Sequence, residues 1–442
     1  MSSYDLISIK SLRRRYALIV FLYWFATALP LALSVLLMTE RGLSLAQIGL
    51  GMGFYSLIIV LLEVPTGGLA DAVGRKRVAL LAYALAAASS VFLLLAFSFP
   101  IFLAGMSLYG VSRALSSGAL DAWFVDALRA IDPDADLQPA LAHIETVSLL
   151  ALGLGTLLGS ALPRLFAGLP TDGRLSPLAI PVAAGLLVRI VLLPVVALLV
   201  HEPRPAGDAA ASWRAGLRAV PALVYEAAAL SRANGRFVLL MAASFVSGLA
   251  ILALESFWQP FFVALPGATI DGAPNTLLFG LIMGGNFLFG MAGNLLAEPL
   301  GRRLGRSGDA GATNRHSLTA ALARLLQGGF MLALAGATRL MPAGAFFWLV
   351  YLAAGVGVSP HAALVNDEIP AARRSAMLSV QSLAAYAGSF LGGAALGWVA
   401  DRWAIGAAWA IAGGLLVVSV APYVMLDRGR VVRGSRGAGV QG

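Results

Sequence analysis

Cysteine is absent from the 442-residue chain, which excludes disulfides and thiolate metal sites. Charge is scarce: Asp, Glu, Lys and Arg make up 12% of the residues, against about 25% in an ordinary soluble domain. No GxxxxGK[ST] loop occurs, so there is no ATP engine of that type. No HExxH pair and no Gly-x-Ser-x-Gly elbow occurs either. The reading is therefore of a protein that is not an enzyme and needs no cofactor and no metal. The net charge of +9 does not point to nucleic acid. The basic residues sit in short clusters between apolar runs, without the aromatic-plus-basic module that reads RNA.

What is present is apolar. Hydrophobic residues make up 59% of the chain, and the mean hydropathy is +0.84. A soluble core needs far less, so a lipid bilayer is the expected solvent. The opening "MSSYDLISIKSLRRRYALIVFLYWF" has basic residues ahead of an apolar run, as a signal peptide does. The run 16–38 is longer than a signal core of about 7–15 residues and reads as a first span.

A span needs about 20 apolar residues. Twelve stretches meet that length: 16–38, 46–70, 78–98, 101–126, 139–162, 178–200, 237–263, 275–297, 318–338, 344–365, 376–400 and 405–426. Helices are expected, because in lipid every backbone group must bond internally. A barrel would show alternating ten-residue segments, and these runs do not alternate. With the N-terminus inside, 23 of the 31 Lys and Arg residues fall in cytoplasmic segments and five in outer loops. That bias predicts an integral plasma (inner) membrane protein with both termini cytoplasmic.

The longest polar stretch, 201–236, divides the spans six and six. The expected organisation is a bundle over 1–200, a linker over 201–236 and a second bundle over 237–442. Within the linker, Trp213, Leu217, Val220 and Val224 share one face of a possible amphipathic helix, with Arg214 and Arg218 off it. Such a helix lies on the inner membrane surface as a connector or acts in regulation. Pro221 is expected to kink or restart it. The halves also echo each other. "DAVGRKR" (71–77) follows span two and "EPLGRRL" (298–304) follows span eight; "GTLLGS" (155–160) and "GSFLGG" (388–393) lie in spans five and eleven. Both matches are six spans apart, which argues for two six-helix pseudo-repeats.

The stretch Gly67-xxx-Asp71-x-x-Gly74-Arg75-Lys76-Arg77, between spans two and three, resembles the signature loop of the major facilitator superfamily, whose weaker copy follows span eight. "EVPTGGLAD" (63–71) and "SSGALDAWFVD" (116–126) are similar to one branch of that superfamily, and the chain looks drug-exporter-like. Ala72 departs from the pattern, which usually has a basic residue there. Gly67 and Gly68 would let two helices approach closely. Asp71 can face a helix N-terminus, and Arg75 can reach an acid on another span, for which Asp126 is the nominee. Such a cluster either latches a cytoplasmic gate or only enforces topology by its charge. Span five keeps the spacing of the drug-antiporter pattern Gly-Pro-x-x-Gly-Gly, with Thr156 and Ser160 substituted; close helix packing accounts for the same glycines.

The resemblance implies that spans one, four, seven and ten line a central cavity. Tyr23, Thr27, Pro30 and Ser34 share a face of span one, and Arg113, Ser117 and Asp121 one of span four. Ser244, Gly248, Glu255 and Gln259 align on span seven, and Tyr351, Gly355 and Ala362 on span ten. Small residues at such spacings also mark helix packing. Intramembrane charges are the sharper signal. Glu255, with no partner within a turn, is a candidate for reversible protonation or substrate contact, or else, in the outer third of its span, is bonded to neighbours or reaches water. Arg113 can bind an anion or hold a carboxylate, and on one helix lies about 12 Å from Asp121. For Glu63, pairing and proton handling stand level. Arg189, Arg324 and Glu145 read as packing or inter-helix pairing, and His143 and His361 as satisfied polar or interfacial residues.

The expectation is a twelve-helix, all-α polytopic membrane protein with the major facilitator fold, a secondary transporter working by alternating access. Proton-coupled export of an amphipathic small molecule, by an antiporter that acts as a monomer, is the first reading. Movement of a small anionic solute is the second, and a sensor or scaffold that transports nothing is the third. Its partners are a small-molecule substrate, protons and the lipid bilayer, with no nucleic acid.

Overall fold

The computed structural model describes residues 8–66, 69–116, 118–170, 176–202, 209–305, 311–369 and 374–426. Gly67, Gly68 and Ser117 lie outside the described residues, as do the basic residues beyond position 426. The chain divides into two compact units, 1–221 with 275–281 and 222–274 with 282–442.

In the first unit the helices are α1 Ile9–Ala28, α2 Ser34–Glu40, α3 Leu45–Thr66, α4 Leu69–Val73, α5 Arg75–Leu94, α6 Phe99–Ser116, α7 Ala119–Ile131, α8 Leu137–Leu165 and α9 Ile180–Leu199. Helix α10, Ala209–Ala233, follows in sequence. In the second unit are α11 Gly235–Val263, α12 Thr276–Leu304, α13 Gly311–Ala335, α14 Leu340–Glu368, α15 Arg374–Leu391, α16 Gly397–Arg402 and α17 Ile405–Val418. Among the described residues a single hairpin, β1 Thr269–Ile270 with β2 Ala273–Pro274, turns on Asp271 and Gly272, both at positive φ.

Ten helices among the described residues are long and apolar enough to cross a membrane. Two expected spans are missing from that set because each is broken in the middle. Span one stops at Ala28 and resumes at Ser34, around Pro30, whose ring removes a backbone donor. Span four stops at Ser116 and resumes at Ala119, and Gly118 between them is left-handed at φ 73°. Proline by itself does not decide: Pro163, Pro194, Pro260 and Pro360 all sit inside continuous helices. Helix α10 likewise runs through Pro221 without the expected restart, and Leu217 on its apolar face is exposed.

In the first unit α1 packs on α8 and α9, α5 on α6 and α9, and α3 on α6. In the second, α11 packs on α15 and α17, and α13 on α14 and α17. The glycines of "GTLLGS" and "GSFLGG" explain the closest of these approaches. A methyl at Gly159 would collide with the Leu29 carbonyl at the end of α1; one at Gly388 would collide with the Phe245 carbonyl of α11. Helix α9 illustrates the environment. Val182, Gly185, Arg189, Leu192 and Val196 face inward, while Leu187, Ile190, Val191 and Leu198 are exposed on the opposite side. Leu198 is 71% exposed. An all-apolar outer stripe at helical spacing belongs in hydrocarbon, not water.

Candidate functional site

The first unit holds a cavity of about 150 Å³ at the break in span four. Tyr16, Tyr23 and Trp24 reach it from α1, Tyr83 from α5, Arg113 and Ser116 from α6, and Asp121 from the start of α7. The Tyr16 hydroxyl donates to the Asp121 carboxylate. Its ring stacks on Phe124 at 4.5 Å, which fixes the hydroxyl's direction. Arg113 lies over the Trp24 ring at 5.8 Å, and within electrostatic reach of Glu63 on α3, one of whose oxygens is buried without a hydrogen bond. Tyr23 and Tyr83 meet at 5.2 Å.

The continuous-helix geometry set Arg113 and Asp121 two turns apart along one rod. The break at Gly118 removes that constraint, and both side chains line one cavity. Span one does the opposite. Thr27 donates to the Tyr23 carbonyl at 2.9 Å, but Ser34 opens a new helix beyond the break. The four-residue stripe 23–34 therefore does not exist as one face.

A second constellation sits at the ends of α4, α5 and α7. Gly74 has φ 105°, a conformation open only to glycine, and this ends α4 and starts α5 at Arg75. The Arg75 guanidinium bridges Asp71 at 3.2 Å and Asp126 at 2.5 Å. The orphan N–H groups of Arg75 and Lys76 both donate to Glu202, at 3.0 Å each. The Lys76 ammonium donates to the Ala197 carbonyl of α9 at 2.6 Å.

In the second unit Glu255 is half-buried on α11 and makes no ion pair or hydrogen bond among the described residues. Tyr351 on α14 is within electrostatic reach, and its hydroxyl is buried without a hydrogen bond. Ser244 and Gln259 are buried. Ser244 meets His361 Nε2 at 2.9 Å, and Tyr423 meets its Nδ1 at 2.9 Å. Gly248 and Gly355 fill tight helix contacts against Ala385 and Gly290. Arg324 donates to Ser247 and Gln327, and Arg189 to Ala86 and Ser90. The buried arginines are thus held by neutral acceptors.

The structure brings together Arg113, Asp121 and Tyr23, and separately Asp71, Gly74, Arg75 and Asp126. Tyr16, Tyr83 and Glu202 escaped the sequence. Tyr16 sits beside a basic run that reads as a topology signal, Tyr83 lies on a span with no polar stripe, and Glu202 looks like the first residue of a linker.

A family model described as the Major Facilitator Superfamily matches residues 16–392. No curated protein matches the chain. Among solved structures the chain is similar to the nucleoside transporter NupG, at 15% identity and TM-score 0.73, covering 94% of this chain and 98% of that one. It is similar to a bacterial homolog of the human lysosomal transporter Spinster, at 16% identity and TM-score 0.65, covering 97% and 96%. It is also similar to the peptide transporter POT in complex with sulfate, at 16% identity and TM-score 0.68, covering 94% of each. Identities this low speak for the fold alone.

Proposed function

The chain belongs to the major facilitator superfamily and is a membrane transporter rather than an enzyme, and from that premise we propose that it couples proton movement to export of an amphipathic small molecule by alternating access. The observation that carries the coupling is Glu255, a half-buried carboxyl on an apolar span without an ion pair among the described residues. A carboxyl so placed is costly unless it serves protons or cargo. The cavity around Arg113 and Asp121 is read as part of the cargo site, with Tyr23 and Thr27 on span one. Tyr351 neighbours the coupling residue; Glu63 acts on Arg113. The Asp71–Arg75–Asp126 bridge is read as a latch that must open in each cycle.

The architecture proposed is twelve passes in two related bundles, 1–200 and 237–442, joined by 201–236, with both ends cytoplasmic and a monomer as the working unit. Recurrent neighbours support the duplication. The α1–α8, α1–α9, α5–α6 and α5–α9 contacts correspond, six spans on, to α11–α15, α11–α17, α13–α14 and α13–α17. The two broken spans count as one pass each.

The test is efflux of a fluorescent amphipath from proteoliposomes under an imposed pH gradient. Wild type should respond to the gradient, and Glu255→Gln should keep exchange at equal pH while losing that response. Gradient-driven efflux unchanged in Glu255→Gln would sink the assignment. A second reading, movement of a small anionic solute, is favoured by Arg113 in the cavity. It predicts accumulation of an anion that is indifferent to acidification of either side. A sensor predicts movement of nothing by any variant.

A further inference from the structure

The basic pattern after span eight sits among fewer acids than its first copy. At 71–77, Asp71 and Asp126 take the Arg75 guanidinium, and Glu202 takes the N–H groups of Arg75 and Lys76. At 298–304 a cavity of about 380 Å³ opens between α12, α13 and α14. Arg302 lines it from α12, Arg315 and His316 from α13, and Ser359 from α14. Glu298 is the one acid among the described lining residues, and Arg302 meets its charge with a single N–H. That pair is exposed and holds its partners weakly. Arg315 is then the surplus positive charge of the wall. Its carbonyl accepts from Thr319, but its guanidinium makes no hydrogen bond or ion pair among the described residues. Gly305 makes room for it, since a methyl there would collide with the Arg315 side chain crossing the end of α12.

We propose that this cavity binds a phosphate monoester, its oxygens gripped by Arg315 and Arg302 from two helices, with the His316 ring and the Ser359 hydroxyl as further donors. Such binding goes beyond the transport reading and does not require it. A phosphate monoester carries about −1.5 to −2 charges at neutral pH and presents three acceptor oxygens. Guanidinium forks on two helices can each take a pair of them. A carboxylate is planar and singly charged, and one fork satisfies it. The volume falls within the range of about 300–1,000 Å³ typical of sites for organic molecules, so there is room for the group that the phosphate is attached to. Glu298 repels an anion, but Arg302 offsets it and the wall keeps a net positive charge. The bound anion would tie α12 to α13, as Arg75 and Asp126 tie α5 to α7 in the first unit. In the orientation proposed above these are cytoplasmic helix ends, which meet both soluble phosphate esters and phospholipid headgroups.

The experiment uses the full-length protein in phosphatidylcholine nanodiscs, with glycerol phosphate and acetate as probes. Dissociation constants are read by calorimetry, and Tm is followed with and without probe. Glycerol phosphate should raise Tm and bind roughly tenfold more tightly than acetate. Arg315→Gln should weaken its binding roughly tenfold. Arg315→Lys keeps the charge but not the fork and should recover part of the loss, which separates recognition from misfolding. Arg303→Gln removes an equal charge from the same helix end, outside the cavity wall, and should change binding by less than about twofold. Lipid composition then distinguishes the source of the phosphate. Loss of glycerol phosphate binding when phosphatidic acid is added, but not phosphatidylglycerol, assigns the site to a lipid headgroup. Binding undiminished, or diminished equally by both lipids, assigns it to a soluble ester. Three results overturn the proposal: no binding of glycerol phosphate, equal binding of acetate, or Arg303→Gln weakening binding as much as Arg315→Gln.

Discussion

The sequence carries one short pattern twice, and the two copies fold differently. At 71–77 the chain breaks at Gly74, and α5 starts anew with Glu202 capping its first N–H groups. Arg75 then ties Asp71 to Asp126 on α7. At 298–304 helix α12 runs through Gly301 to Leu304 without interruption. Arg302 pairs with Glu298 one turn back at 2.5 Å, both largely exposed. The acid at the end of α14 is engaged elsewhere: Glu368 takes Arg236 at 3.4 Å and Asn234 at 3.0 Å, at the start of α11. In the first unit Asp126, within α7, pairs with the arginine that opens α5. In the second Glu368, at the end of α14, pairs with the residues that open α11. One pattern therefore serves as a tertiary bridge in one half and a surface pair in the other.

The sharpest way to break that contrast is at the two glycines. Gly74→Val puts a branched side chain at φ 105° and should cost about 1–3 kcal/mol, read as a lowered Tm. Gly301→Ala lies inside a regular helix beside Thr319 and should change stability by no more than about 0.5 kcal/mol. Equal losses would mean that the copies are alike after all. Next come the arginines. Arg75→Gln breaks the bridge between Asp71 and Asp126 and should slow transport roughly tenfold, about 1.4 kcal/mol in the barrier. Arg302→Gln removes one exposed pair, worth about 0.3–0.5 kcal/mol, and should leave flux within about twofold. Initial rates in proteoliposomes decide. The acids give a smaller effect: Glu368→Gln should lower Tm by the equivalent of about 1 kcal/mol with little change in rate, and Asp126→Asn the reverse.

The smallest effect expected is one of pH, outside the spans. Burial pushes the Glu40 carboxyl above its ordinary value and holds the neighbouring Arg41 below its own. A carboxyl whose folded pKa is raised binds its proton more tightly in the folded state. Its contribution is complete below the unfolded value of about 4.3 and is lost as pH rises through the raised one. Glu40→Gln should flatten that segment of the Tm-against-pH curve. An unchanged slope would show that Glu40 is not its source.

Much of this was legible in residue order. Ten of the twelve expected spans appear as long helices, because hydrocarbon forces internal hydrogen bonding on any apolar run of that length. Asp71, Arg75 and Asp126 were legible because a charge cluster at the end of a span has few partners to choose from. Arg113 and Asp121 were each visible as intramembrane charges, but their shared cavity was not. Ser244 was legible by its spacing, but its hydrogen bond with His361 was not. Periodicity names a face but not what that face meets.

Amino-acid order by itself determined the solvent, the helical class and the positions of the costly charges, since these follow from local free energies of transfer. Tertiary structure alone decided that Gly74 ends a helix while Gly301 does not, that Glu202 caps α5, and that Tyr16 holds Asp121. Those outcomes depend on partners about 100 residues away or on backbone dihedrals fixed by packing. No local preference contains them, because each exists only when distant helices are brought within bonding distance.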